Sequence, residues 1–500
     1  MRQLIFRVCC CLSLVMATPA AADPPASSSP LFREFNTFRS QEALKHANWS
    51  VYVADITEGR EIIRHNIHQL LTPASTQKLL TTTSAMMMLD HDHRFETRLE
   101  YDGYIDAEGT LHGNLYIRGD GDPSLGSAML DDTLALINVF EQWGVAVKSA
   151  GIRAVSGHVV SDERIFDEEM VPRRWVWEHI GNYFGAGASG LTVNENEYSI
   201  HFDAGNSVGE PASVTFTEPE LPGMVFHNQV TTGPEGSGDR VYILGAPYVS
   251  ERWLTGTVPL GAKDFEVRGS MADPPAFMAE SFRRHLFTNG IEVSGTGTSY
   301  RLSATSGIET SDDRNKLSTW FSPPLYEIIF RTNLASVNTY AENLLKTIGL
   351  QSNRQGSTAA GLEVLDEYWD KKGLDTDSWI LYDGSGLSPS NRLSSHHLMT
   401  ILQEASAHPS FSVLIQSLPL AGYSGALENW FRGTRSEGLL RAKSGYLSGA
   451  RGYAGYTTME NGNMAAFVIL ANDYQGTPVA MRTSMLNLMH AITLHNGSSL

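Results

Sequence analysis

The feature that most limits how this chain can fold is a change of texture between about Phe95 and Asp313. Before it, 49–56 alternates as a strand, Thr57-Glu58-Gly59-Arg60 is a turn, and 61–64 reads as a return strand. A helix follows over 75–89, with Thr72 able to cap it and Pro73 suited to its first position. Inside the interval the chain becomes short strands and glycine-bearing turns, such as 115–117, 157–160 and 198–200, with few helical periods. After a polar connector at 303–314 the helices return, at 336–348, 360–372 and 395–405. Two strands, 449–458 and 464–470, close the pattern, with Asn461-Gly462 in the short link between them. The pattern is that of an α/β unit cut in two by a large β-rich insertion.

The extremities add a location. Arg2 and Arg7 precede a short apolar run, 8–16, and Ala20-Ala21-Ala22 offers a small-residue cleavage site before Asp23. The run is too short to span a membrane, so 1–22 is expected to be a cleaved signal peptide and the product periplasmic. All three cysteines, Cys9, Cys10 and Cys11, fall within it. The mature chain then has no disulfide, thiol nucleophile or thiolate metal site. Its formal charge becomes −20, from −18 for the whole chain, once Arg2 and Arg7 are removed. That balance argues against nucleic acid and anionic lipid as partners. The periodic stretch 479–494 carries Arg482 alone among basic residues, so it reads as a core helix, and membrane association is at most peripheral. Homodimer formation is left open.

Three short motifs carry chemistry. Ser75-Thr76-Gln77-Lys78 places a hydroxyl and an amine at i and i+3, on one face of a helix start. A lysine whose pKa is lowered by burial or a nearby cation can activate such a serine. Ser336-Val337-Asn338 opens a second helix, where capping alone would also select Ser and Asn. Lys443-Ser444-Gly445 precedes a strand: the cation and hydroxyl suit a carboxylate, and the glycine lets a substrate backbone approach. Each is weak by itself. Their order, S-x-x-K then S-x-N then K-[ST]-G, is the signature of penicillin-binding proteins and serine β-lactamases.

The surroundings narrow this. Segments 73–82, 119–125, 338–345, 383–388 and 441–445 resemble the class C low-molecular-mass penicillin-binding proteins, the D-alanyl-D-alanine carboxypeptidase/endopeptidases. Ser336 follows Ser75 by 261 residues, a gap far longer than a compact β-lactamase-like domain needs. The resemblance implies a β-lactamase/transpeptidase-like domain, an antiparallel sheet flanked by helices, in two halves (23–95 and 314–500). It also implies that 96–313 forms two extra, nested domains. By the same resemblance, Ser75 attacks the carbonyl of the penultimate D-Ala, Lys78 takes the proton, and Ser336 relays one to the leaving amine. Asn338 would bind the substrate amide, and Lys443 and Ser444 the terminal carboxylate. The backbone N–H groups of Ser75 and Tyr446 would form the oxyanion hole. Asp162, in Ser161-Asp162-Glu163-Arg164, resembles a position facing the diamino acid of the stem peptide, where a carboxylate suits a free ammonium group. Peptidoglycan stem peptides and β-lactams are the implied partners, with no cofactor and no metal. Two departures stand out. Val337 replaces the usual Asp; chemistry survives if that side chain points away from the cleft and slows if it braces it. Ser444 replaces the usual Thr and keeps the hydroxyl.

Other readings are a serine β-lactamase, which needs a deacylating base, and a non-catalytic wall-binding protein, against which an intact Ser75 and Lys78 argue. A Ser-His-Asp hydrolase would want G-x-S-x-G, which is read as absent, Gly422-Tyr423-Ser424-Gly425 falling short of it. A zinc peptidase would want H-E-x-x-H, which the chain lacks; His65 and His68, or His91 and His93, are pairs without a third ligand.

Overall fold

A computed structural model describes residues 29–130, 132–351 and 354–497. The signal segment and its cysteines lie outside the described residues.

The two ends of the chain build one five-stranded antiparallel sheet. Its spatial order is Leu440–Leu447, Ala450–Thr458, Met464–Asn472, Asn48–Asp55, Arg60–His65. The central strands are apolar on both faces because each face has its own helical cover. Tyr52, Ala54, Val468 and Leu470 face one core, which includes Leu79, Leu80, Leu344 and Leu398. Their neighbours Val51, Val53, Phe467 and Ile469 face the other, with Leu31, Phe38, Met485, Leu488 and Ile492. The two-residue period of a strand thus feeds two cores at once. The helices of the second cover are Pro30–Ser40 and Pro478–Thr493, the latter being the core helix expected over 479–494.

The insertion is richer than its sequence texture. It holds four sheets and two long helices, Leu136–Ser149 and Pro274–Thr288, which the strand-dominated reading did not anticipate. Its strands form two groups nested in sequence. The inner group, within 197–270, makes a three-stranded and a four-stranded sheet. The outer group flanks it on both sides, and one apolar core runs through both. Asn315–Phe321 pairs antiparallel with Glu96–Tyr101 in a sheet of the outer group. The insertion's sheet therefore extends past the expected boundary at 313.

One pentapeptide here does fit G-x-S-x-G: Gly205-Asn206-Ser207-Val208-Gly209. It is an exposed turn joining strands Glu197–Asp203 and Ser213–Glu218. The N–H groups of Asn206 and Ser207 donate to Glu210. A nucleophile elbow needs a strand-to-helix turn, so this match carries no chemistry.

Candidate active site

The nucleophile turn is held by strain and close contact. Residues Ala74–Gln77 form a 3-10 turn that continues as the helix Lys78–Met88. Ala74 has φ 46°, in the left-handed region, a conformation that costs a non-glycine residue about 1–3 kcal/mol and persists only where the surroundings impose it. Gly386 supplies that surrounding: a Cβ there would stand 2.0 Å from the Ala74 carbonyl oxygen. On the opposite side Gly445 lies over the turn. Its hypothetical Cβ would be 2.7 Å from the Pro73 carbonyl oxygen and 3.0 Å from the nitrogens of Ser75 and Thr76.

Five motif residues form two short polar chains, Ser75–Lys78–Asn338 and Lys443–Ser336. Lys78 is fully buried, and its Nζ lies 3.2 Å from Ser75 Oγ, 2.5 Å from Asn338 Oδ1 and 2.9 Å from the Ser385 carbonyl oxygen. Lys443, also buried, donates to Ser336 Oγ at 2.8 Å and to the Ser444 carbonyl at 2.9 Å. Burial lowers Lys78 to about 7, against the opposing pull of the Glu342 and Asp383 charges. Burial, then the Lys78 charge, pushes Lys443 well below the ordinary lysine value. A lysine near neutrality has the balance of states a general base needs.

Lys443, Ser444, Gly445 and Tyr446 lie on the edge strand of the five-stranded sheet, whose other side pairs with Ala450–Thr458. An extended peptide can add to such an edge. Tyr446 is 52% exposed. Ser336, at φ 60°, is a second left-handed residue at a motif serine. Val337 packs against the helical core, so the residue that departs from the usual pattern points away from the polar chains.

Asp162 is not brought into this group. Its carboxylate is buried and gripped by Arg164 (Nε–Oδ1 2.8 Å, Nη2–Oδ2 2.7 Å) and Arg314 (Nη1–Oδ2 2.8 Å). It lines a separate cavity of about 400 Å³ with Glu100, Arg118 and Asp312. Burial alone would raise its pKa, but the two guanidinium groups outweigh burial and hold it below the usual range. The free carboxylate expected there for an ammonium group is already neutralised.

Several residues that complete the site carried no signal as single letters. The loop 383–388 forms a wall. Asp383 accepts from the N–H groups of Gly386 (2.8 Å) and Ser388 (2.6 Å), and from the side chains of Asn391 (2.8 Å), Gln77 (3.1 Å) and Trp175 (2.8 Å). Glu342 accepts from the N–H groups of Gly384 and Ser385 at 2.9 and 2.8 Å. The insertion closes the group. The Asn338 amide donates to the Phe184 carbonyl at 2.6 Å, and Thr339 Oγ1 to the Ala186 carbonyl at 3.0 Å. The only hint of these roles was block-wise resemblance over 338–345 and 383–388.

Residues 33–491 match the D-Ala-D-Ala carboxypeptidase 3 (S13) family. The chain belongs to that family of serine peptidases. It is 30% identical over 490 residues to a D-alanyl-D-alanine carboxypeptidase of Actinomadura sp. (strain R39), covering 95% of this chain and 87% of that one. It is 25% identical over 468 residues to D-alanyl-D-alanine carboxypeptidase DacB of Haemophilus influenzae, covering 92% and 93%. The crystal structure of penicillin binding protein 4 (dacB) from Haemophilus influenzae superposes with a TM-score of 0.77 at 22% identity, over 91% of this chain and 97% of that one. The fold is thus the penicillin-binding one, with the extra β-rich region included. Among the described residues no helix is long and apolar enough to cross a membrane.

Proposed function

We propose that this chain is an exported serine D,D-peptidase that cleaves the D-Ala-D-Ala end of peptidoglycan stem peptides through Ser75. β-Lactams acylate the same residue. The observation that carries this reading is the pairing of the nucleophile with a buried lysine near neutrality, beside an edge strand that carries Lys443-Ser444-Gly445. A crystal structure of Haemophilus influenzae penicillin binding protein 4 (dacB) complexed with a β-lactam, with a TM-score of 0.70, supports it.

The steps follow from the geometry. The substrate lies along the edge strand with its terminal carboxylate at Lys443 and Ser444. An arriving carboxylate favours the charged form of Lys443. That new charge, beside Lys78, favours neutral Lys78, the form able to accept the Ser75 proton. Ser75 Oγ bonds to the carbonyl carbon of the penultimate D-Ala as its proton passes to Lys78. The oxyanion sits at the N–H groups of Ser75 and Tyr446. The C–N bond then breaks as Ser336 Oγ relays a proton to the leaving amine, giving up its own and taking one from the Lys443 ammonium hydrogen-bonded to it. Water hydrolyses the acyl-enzyme. In a β-lactam the leaving amine stays tethered, and deacylation stalls. Asn338 spends its Oδ1 on Lys78 and one amide hydrogen on Phe184, leaving the second hydrogen for a substrate carbonyl. The signal peptide, cleaved near Ala22, would deliver the enzyme to the periplasm, where this substrate is found.

The test is release of D-Ala from a stem pentapeptide by the mature protein, alongside cleavage of a cross-linked dimer. Release that Ser75→Ala abolishes supports the reading, and the ratio of the two rates separates carboxypeptidase from endopeptidase. Hydrolysis that survives Ser75→Ala refutes it.

A further inference from the structure

The helix Asn338–Gln351 addresses Lys78 twice from one face. Asn338 and Glu342 are four residues apart and so stand one turn apart on the same side. Asn338 takes the lysine directly. Glu342 reaches it through the loop. Its two oxygens accept the N–H groups of Gly384 and Ser385, and the Ser385 carbonyl accepts from Lys78 Nζ at 2.9 Å. The Gly384 carbonyl, in the same span, accepts from Thr81 Oγ1 at 2.6 Å, tying the loop to the nucleophile helix. Both Glu342 oxygens are therefore committed, in a side chain with no exposure to solvent.

Burying a carboxylate is costly, and apolar side chains of similar volume usually pack as well or better. Helix packing alone does not call for Glu342. The charged groups around Lys78 are three: Lys443 from the edge strand, Asp383 from the loop, and Glu342 from the helix. Asp383 already accepts hydrogen bonds from Trp175, Gln77 and Asn391. Glu342 takes its hydrogen bonds from the loop: the N–H groups of Gly384 and Ser385 and the Ser385 side chain.

We propose that Glu342 is the positioning residue for the general base: it fixes Lys78 through the 383–388 loop and supplies the negative charge that balances its ammonium form. This rests on the acyl-enzyme reading above. Burial, then the Asp383 charge, raises Glu342 itself to about 7, so its charge supports the Lys78 ammonium most fully above that pH. Burial lowers Lys78 to about 7, and the Glu342 charge is the larger of the two influences opposing that fall. Without it the ammonium form loses support, and Lys78 becomes a base at lower pH.

The measurement is the second-order rate constant of acylation by a fluorescent penicillin, followed between about pH 5 and pH 9. It is made on the wild type, Glu342→Gln and Glu342→Asp, with thermal unfolding recorded for each. In Glu342→Gln the acidic limb should move down by about one pH unit, the scale of one nearby opposite charge. Glu342→Asp keeps the charge but cannot reach both N–H groups. Its limb should stay in place while its plateau falls about 10- to 100-fold, as misplacement of a catalytic group would do. A limb that does not move in Glu342→Gln overturns the electrostatic half. A wild-type plateau in Glu342→Asp overturns the positioning half. A merely structural role would lower rates and unfolding temperature together and leave both limbs where they were. Absence of any acylation in the wild type would instead strike the acyl-enzyme reading itself.

Discussion

Gly445→Ala puts one methyl group where the edge strand meets the nucleophile turn. Built on the native backbone, the new carbon would lie 2.7 Å from the Pro73 carbonyl oxygen and 3.0 Å from the nitrogens of Ser75 and Thr76. The closest of these is short of ordinary contact by about 0.7 Å. All three atoms are backbone, so no side chain can swing away. Either the edge strand lifts from the turn, or the turn, already strained at Ala74, gives way. Overpacking of this kind costs about 1–3 kcal/mol of stability. The larger effect is expected on chemistry, because the proposed oxyanion hole uses the N–H groups of Ser75 and Tyr446, on the two sides of that contact. Separating them by a few tenths of an ångström weakens at least one donor. Loss of one such donor elsewhere costs about 100- to 1,000-fold in rate. Acylation of Gly445→Ala by a fluorescent penicillin should slow by about that factor while the protein stays folded. The assay is stopped-flow acylation with thermal unfolding in parallel. A variant that acylates at the wild-type rate would refute the placement of the oxyanion hole between Ser75 and Tyr446.

Asp162→Asn should destabilise the fold, because it removes one charge from a buried pairing with Arg314; such losses cost about 3–5 kcal/mol, read as a lower unfolding temperature, with the acylation rate little changed. The Asp162 contribution has a defined pH course: a depressed carboxyl stabilises above its unfolded value, about 3.9, and that stability is lost as pH falls through the lower native value. Trp175→Phe removes the indole N–H that donates to Asp383 at 2.8 Å. It should cost about 1–3 kcal/mol and slow acylation as the 383–388 loop loosens, whereas unchanged acylation and unfolding temperature would contradict the role given to that loop.

The catalytic helix was legible because its chemistry is local. Ser75 and Lys78 are three residues apart, so helical geometry alone brings them together. Ser336, Asn338 and Lys443 were legible by the order of their motifs, although Lys443 lies within the strand Leu440–Leu447 and not before it. The Asp383 loop was not, since Asp, Gly and Ser are what any turn would use. Its function comes from Gln77 and Trp175, which reach it from distant parts of the chain. Glu342 carries no local signal of burial; it lies on a helix buried from Thr339 to Gly349 and bonds the 383–388 loop. The strand Asn315–Phe321 was lost for a related reason. It follows a polar connector and pairs with a strand more than two hundred residues earlier, a contact no local period announces. The partners of Asp162 were not legible together: Arg164 is two residues away, but Arg314 returns from the far end of the insertion.

The most direct test of the central claim is mass-spectrometric mapping of the adduct formed by a fluorescent penicillin on the mature protein, with Ser75→Ala beside it. A stable adduct on the peptide containing Ser75, absent from the variant, is the predicted result. A label on another residue, rapid turnover without an adduct, or no reaction would contradict it.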